Sequence, residues 1–168
     1  MQDKDYMQLA LRQAKLAQTF DEVPIGAVIV KNGEVIAYGE NRKERENCAV
    51  YHAEIVAITE ACKKLNNWYL DDCTLYVTLE PCPMCCGAIL NSRIDRVVFG
   101  ATDPKSGGVT SLYNLLDDKK YNHTCKVEGG VLQEECAAIL SQFFKKKREQ
   151  KKAEKKVWYR STICLLLG

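Results

Sequence analysis

Apolar positions along this chain change period several times, and each change marks an element. Residues 3–19 place Tyr6, Leu9, Ala10, Leu16 and Ala17 near helical spacing, which predicts an amphipathic helix. Two runs, Val23 to Val30 and Glu34 to Tyr38, flank Lys31-Asn32-Gly33. Asn-Gly between such runs predicts a hairpin. Asn41 to Val50 is polar and irregular and reads as a loop. Ala53 to Leu65 keeps Ile55, Ile58, Ala61, Cys62 and Leu65 on one face, a second helix. Cys73 to Thr78 is rich in strand formers. Pro83 to Asn91 reads as a short helix with proline in its first turn, where a missing N–H costs nothing. Arg96 to Gly100 reads as a buried strand and Asp103 to Thr110 as a turn-rich loop. A short helical stretch over Leu112 to Leu116, a weak strand over Val127 to Leu132 and a last helix from Glu134 to about Lys152 complete the pattern.

Helices alternating with strands in this way predict an α/β fold, a three-layer α/β/α sandwich with a mixed five-stranded sheet. The hairpin must be antiparallel, whereas later strands separated by crossover helices can run parallel. A chain of 168 residues is most simply one domain. Residues 1–152 form that domain, and residues 153–168 are expected to be a basic and apolar extension, disordered or loosely docked. No internal repeat is visible.

Charge sharpens this outline. The net charge is +2, yet Lys145 to Lys156 (KKKREQKKAEKK) carries a local +6 and leaves −4 for the remainder. A basic tail on such a body suits a polyanionic partner, or else is a solvated helix end. No apolar run approaches the roughly 20 residues needed to span a bilayer, so no membrane partner is expected. The nine cysteines are an odd number, and the first residues lack an apolar core of the signal-peptide type. A reducing cytoplasm is the expected compartment, and Cys82 and Cys85 read there as metal ligands rather than a bridge. Cys48, Cys62, Cys73, Cys86, Cys125, Cys136 and Cys164 read as small buried hydrophobes or incidental thiols, with Cys86 a neighbour that competes for metal.

Two short motifs carry the chemistry: His52-Ala53-Glu54 and Pro81-Cys82-Pro83-Met84-Cys85. One imidazole and two thiolates hold a zinc ion with its fourth position open. Glu54 is not needed as a ligand and is free to move protons. Both motifs fall where the chain enters a helix, and the positive potential of a helix N-terminus favours thiolate over thiol. A structural zinc site needs a second Cys-x-x-Cys or His pair, and the chain has none. The H-x-E…P-C-x-x-C spacing matches that of zinc-dependent nucleobase deaminases. One Zn2+ per chain and no organic cofactor are expected.

Around these motifs, VPIGAVIV, the GENR containing Asn41, HAEIVAI, TLYVTLEPCPMC, SRIDRVVFGATDPKSG, EGGVLQEECAAIL and SQFFKKKR closely resemble the bacterial tRNA-specific adenosine deaminases, members of the cytidine deaminase-like superfamily. The resemblance runs from about residue 3 to 152. It implies hydrolytic deamination of the wobble adenosine of a tRNA anticodon to inosine, with release of ammonia, by a cytoplasmic homodimer. The base is flipped out of the loop, in keeping with how proteins read single-stranded RNA. By the same resemblance Glu54 is the catalytic carboxylate, Asn41 contacts the flipped nucleoside, and Asp103, Lys105 and Ser106 face the RNA. Phe144, Lys145 and Arg148 approach the anticodon stem-loop from the last helix. Core packing beside Phe143 is the other reading of Phe144. Asn122-His123 resembles a loop near the RNA, or is solvated surface.

The chain also departs from that pattern. Cys48-Ala49-Val50-Tyr51 replaces the usual Asp-Pro-Thr-Ala, and Tyr51 either reshapes the pocket or packs on the second helix. Tyr69, Thr102 and Thr110 stand where arginine, a basic residue and glycine are frequent. The altered loop before His52 keeps in view a deaminase of a free nucleobase or nucleoside (guanine, cytosine or cytidine); a further alternative, of another class, is a silent zinc protein. An intact Glu54 speaks against the latter.

Overall fold

The computed structural model of the chain describes the backbone of residues 1–166 and the side chains of residues 1–155. Helix α1 (Asp3–Thr19) leads into the hairpin of β1 (Gly26–Lys31) and β2 (Glu34–Glu40). Then follow α2 (Ala53–Leu65), β3 (Cys73–Leu79), α3 (Pro83–Asn91), β4 (Arg96–Ala101), β5 (Lys126–Gly129) and α4 (Gln133–Leu166). The strands form one mixed sheet in the order β2-β1-β3-β4-β5. β1 is antiparallel to both neighbours, whereas β3, β4 and β5 run parallel. Two reversals bring β2 into the direction of β3. The C-terminal ends of β2, β3, β4 and β5 therefore share one end of the sheet.

Strand alternation builds the three layers. Ala27, Ile29, Leu75, Val77, Val97 and Phe99 pack with Ala53, Ala57 and Ala61 of α2 and Cys86 and Ile89 of α3. Val28, Val30, Tyr76 and Val98 pack on the other face with Met7, Ala10 and Ala14 of α1 and Cys136 and Ile139 of α4. The hairpin turn has Asn32 at φ 51° and Gly33 at φ 79°, as a two-residue turn matched to strand twist requires. At Gly39 a Cβ would lie 2.1 Å from the Ala53 carbonyl oxygen and 2.6 Å from the Ala57 nitrogen. The first turn of α2 thus rests on the bare backbone of β2. Arg96 of β4 donates to Asp3 at 2.9 and 2.7 Å and also reaches Glu128, tying the start of α1 to the sheet. No described helix is long and apolar enough to cross a membrane.

The helices over 53–65 and 83–91 occupy the stretches that the pattern predicts, and four differences elsewhere exceed two residues. β1 begins at Gly26 rather than Val23, because Pro24 has no N–H to give to the ladder. β5 ends at Gly129; Gly130 and Leu132 then take positive φ values and turn the chain into α4. α4 passes the expected end near Lys152 without a break, since no glycine or proline interrupts a run rich in Lys, Glu, Gln and Ala. The apolar end of the expected extension, Cys164 included, has side chains that lie outside the described residues.

The fourth difference concerns Leu112 to Leu116, which is mostly irregular chain instead of a helix. Glu80, at the C-terminal end of β3 and 2% exposed, explains it. Its carboxylate accepts the backbone N–H groups of Asp103 at 2.9 Å, Val109 at 3.2 Å, Thr110 at 2.7 Å and Ser111 at 2.8 Å. The hydroxyls of Thr110 and Ser111 also donate to it. Local helix propensity at 112–116 yields to these bonds and to Leu115 N–H donating to Gly108. Burial alone would raise the Glu80 pKa, but the Ser111 hydroxyl and the loop N–H groups outweigh it and hold it at about 2. A carboxylate so depressed stabilises the fold fully above its unfolded pKa near 4.5 and loses that contribution as the pH falls towards 2. The expected outcome is that Glu80→Gln lowers unfolding free energy at pH 7 by about 3 kcal/mol. Denaturant titrations between pH 7 and 2 should find the difference from the unsubstituted protein shrinking below pH 4.5; a difference that persists to pH 2 would refute the ionic origin.

Candidate active site

Helices α2 and α3 begin side by side at the shared end of the sheet, and their first residues form the site. His52 is the N-cap of α2, with extended backbone at φ −72° and ψ 157°. Cys82 is the N-cap of α3, Pro83 opens its first turn and Cys85 follows one turn on. Cys82 and Cys85 therefore project from one side of the same turn. His52 Nδ1 lies 3.6 Å from the Cys82 sulfur and 3.6 Å from the Cys85 sulfur. The three donor atoms all fall within 4.8 Å of one another. A tetrahedral zinc with Zn–S near 2.3 Å and Zn–N near 2.05 Å sets its sulfur and nitrogen ligands about 3.6 Å apart. Soft thiolates with one imidazole are a donor set that suits that metal. Three ligands leave a coordination position for a reacting molecule. Cys86, expected as a competitor, takes no part: it is fully buried, its thiol contacts the Pro81 carbonyl at 3.7 Å, and burial pushes its pKa up to about 12.

Protonation in the cluster follows from these contacts. Donation from the Cys85 thiol lowers Cys82 most, burial opposes it, and the His52 ring and the Cys85 backbone N–H add to the lowering. The net result is a Cys82 pKa near 4, a standing thiolate. Its negative charge in turn raises Cys85, together with burial and Glu54, and it raises His52 by accepting from the ring. Glu54, in the first turn of α2 and 4% exposed, has its pKa raised chiefly by burial. A carboxyl poised above its ordinary range and next to an open ligand position is suited to taking up and returning protons.

The other predicted residues separate into two places. Asp103, Lys105 and Ser106 meet Phe144 and Arg148 of α4, with Val23 and Leu79, around one groove of about 520 Å³. Leu79 closes β3 three residues before Cys82, and none of His52, Glu54, Cys82 and Cys85 lines this groove. Phe143 is the buried member of its pair and Phe144 is 44% exposed, so core packing falls to Phe143. Asn41 does not line the groove; it is 5% exposed at the end of β2. Tyr51 is 40% exposed and thus does not bury itself against α2. Its carbonyl accepts the Arg42 N–H at 3.0 Å, closing the base of the 41–51 loop. His123 donates to or accepts from nothing in the cluster; its Nε2 pairs with the Ile94 carbonyl at 2.8 Å, beside Trp68 and Tyr69.

Three carboxylates that hold the loops around this end have no counterpart in the sequence reading. Glu80 holds 103–111, as described above. Glu40, 5% exposed, accepts from Arg42 and Arg45 at 2.9 Å each. Glu22, fully buried, accepts from Asn41 and from the backbones of Glu44 and Arg45. Glu80 lies inside the quoted TLEPC segment and Glu22 precedes VPIG, yet neither spacing nor periodicity points to their partners.

Comparison with known proteins agrees with this chemistry. The family model of the MafB19-like deaminases matches residues 1–148. The tRNA-specific adenosine deaminase of Bacillus subtilis is 53% identical over 155 residues, which cover 92% of this chain and 96% of that protein. A solved structure from work on A-to-I editing by tRNA:A34 deaminases superposes with a TM-score of 0.78 at 45% identity, covering 81% of this chain and 99% of its own. A guanine deaminase from Nitrosomonas europaea superposes with a TM-score of 0.74 at 25% identity, over 83% of each chain. With a cluster of this kind at the helix starts and a match over most of its length, the chain belongs to the MafB19-like deaminase family, and its relatives include tRNA-specific adenosine deaminases.

Proposed function

We propose that this chain is a zinc-dependent deaminase that converts the wobble adenosine of a tRNA anticodon to inosine and releases ammonia, acting in the cytoplasm as a homodimer. The observation that carries the chemistry is the buried Glu54 carboxyl beside His52, Cys82 and Cys85. The RNA substrate rests on the relatives at about half identity and on the groove of Lys105, Phe144 and Arg148. Cation and aromatic side chains on one groove suit a splayed single strand, with phosphates on the former and bases on the latter. We take residues 1–152 as the catalytic unit.

His52, Cys82 and Cys85 hold the metal. Zinc bound there supplies the Lewis acidity that makes water a nucleophile near neutral pH. Glu54 then does the proton work. Its carboxylate oxygen accepts a proton from the attacking water and delivers it to the adenine ring nitrogen beside the reacting carbon. The same carboxyl next carries the remaining proton, from the hydroxyl now on the attacked carbon, to the amino group; the C–N bond breaks, ammonia leaves and the carbonyl of inosine forms. Burial keeps the Glu54 carboxyl away from bulk water, so the proton stays with the reacting pair. Asn41 holds the flipped nucleoside, while Asp103, Lys105, Ser106, Phe144 and Arg148 hold the strand that presents it.

Incubation with an anticodon stem-loop carrying adenosine at the wobble position, in parallel with free guanine, cytosine and cytidine, tests the substrate. Inosine and ammonia are expected from the stem-loop alone; turnover confined to the free compounds would replace the RNA reading with the free-base one. Glu54→Ala is expected to keep one zinc per chain by elemental analysis and to lose about 10³-fold in kcat. Cys85→Ser is expected to lose the zinc itself. Arg148→Glu should raise KM for the stem-loop about tenfold with kcat nearly unchanged, and should reduce the salt dependence of binding by about one charge. Light scattering at micromolar concentration should return twice the chain mass.

A further inference from the structure

Glu22 is the acidic residue most completely withdrawn from solvent, at 0% exposure, and it takes no part in the proton chemistry above. Burying a carboxylate is costly unless hydrogen-bond donors replace the lost water. Here they come from a single loop: the backbone N–H of Arg45 at 2.6 Å and of Glu44 at 3.2 Å, both from the segment that leads into His52. The remaining donor is the Asn41 side-chain amide, with Nδ2 3.4 Å from Glu22 Oε2. Asn41 is itself pinned by its backbone N–H to the Ile25 carbonyl at 3.1 Å. An amide oxygen cannot face a carboxylate, because two acceptors repel. The contact with Glu22 therefore fixes which way the Asn41 amide is turned. Nδ2 faces inward, and Oδ1 with the second N–H is left for a ligand.

We infer that Glu22 is a positioning residue that sets the amide orientation of Asn41, and through it the recognition of the nucleoside. The loop it anchors carries independent supports. Glu40 binds the Arg42 and Arg45 guanidinium groups, and Arg45 lies over the Phe20 ring at 4.1 Å. Replacing the Glu22 carboxylate by an amide thus leaves the loop held at other points but removes the all-acceptor face that forbids the flipped Asn41 amide, Glu22 being the single side-chain acceptor for Asn41 among the described residues. The inference rests on the reading of Asn41 as a contact to the nucleoside.

The test is a double-substitution cycle on the zinc-loaded protein, using Glu22→Gln, Asn41→Ala and the pair, with the wobble-adenosine stem-loop as substrate. Glu22→Gln is expected to lower kcat/KM about tenfold on the original background, mostly through KM, and less than twofold when Asn41 is already alanine. Equal losses on both backgrounds would overturn the inference and leave Glu22 a structural group. So would an Asn41→Ala protein that keeps full kcat/KM. A second readout needs no substrate. The Asn41 side-chain amide signal in ¹⁵N-correlated spectra, assigned by its loss in Asn41→Ala, should resist hydrogen exchange and lose that resistance in Glu22→Gln. Unchanged protection overturns the positioning role. Lost protection in a protein that does not deaminate the stem-loop supports the positioning role and removes the proposed substrate instead.

Discussion

The common direction of β2, β3 and β4 is the constraint from which the functional end of the molecule follows. β1 makes this possible by standing antiparallel between β2 and β3. The crossover through α2 returns the chain to that common direction, so it leaves β2 and β3 at the same end. Two helices thus start together, and each brings its unpaired N–H groups and positive potential to the same small volume. That potential favours anionic sulfur, and donation from the Cys85 thiol and from the His52 ring lowers the Cys82 pKa against the opposing effect of burial. Open α/β sheets generally place ligands beyond the carboxyl ends of their strands, and this sheet obeys the rule with a mixed topology.

Helix starts alone would leave the loops at this end loose. Two buried glutamates solve that by offering acceptors to backbone N–H groups that have no ladder partner. Glu80 gathers four backbone N–H groups of the 103–111 loop, and Glu22 gathers two of the 41–51 loop. Both are carboxylates matched mainly by neutral N–H donors, whereas Glu40 is matched by guanidinium groups. The first arrangement fixes backbone and therefore shape. The second fixes side chains and resists less when salt or solvent reaches it. The loops at this end are thus held by internal acceptors, while the side chains of Tyr51 and Phe144 stay exposed.

What the sequence makes legible here is what local chemistry dictates. Helices α2 and α3 can be read to the residue because their ends carry signals: Pro83 at the first turn, and Asn66 in the left-handed conformation after Leu65. The ligand set is legible because helix geometry converts a spacing of three residues into one shared face. Glu80 and Glu22 are not legible, since their partners lie 19 to 31 residues away and backbone N–H groups leave no mark in a sequence. The 112–116 segment fails for the same reason, local propensity having been overruled by a distant carboxylate. The length of α4 was hidden by its charge: a lysine-rich run reads equally well as a solvated tail and as a helix, and only the absence of glycine and proline favours the latter.

The arrangement of the ligands has a further consequence for the folding of the chain. His52 and Cys82 stand about 30 residues apart in sequence, on helices that follow two strands which are not neighbours in the sheet. A metal ion gripping both would close that span as a crosslink does, with β1 seated between β2 and β3. Such an ion would bind the folded chain and have little to hold in the unfolded one, so its supply would shift the folding equilibrium by mass action. A clasp at these helix starts would then also check the register of the sheet beneath it.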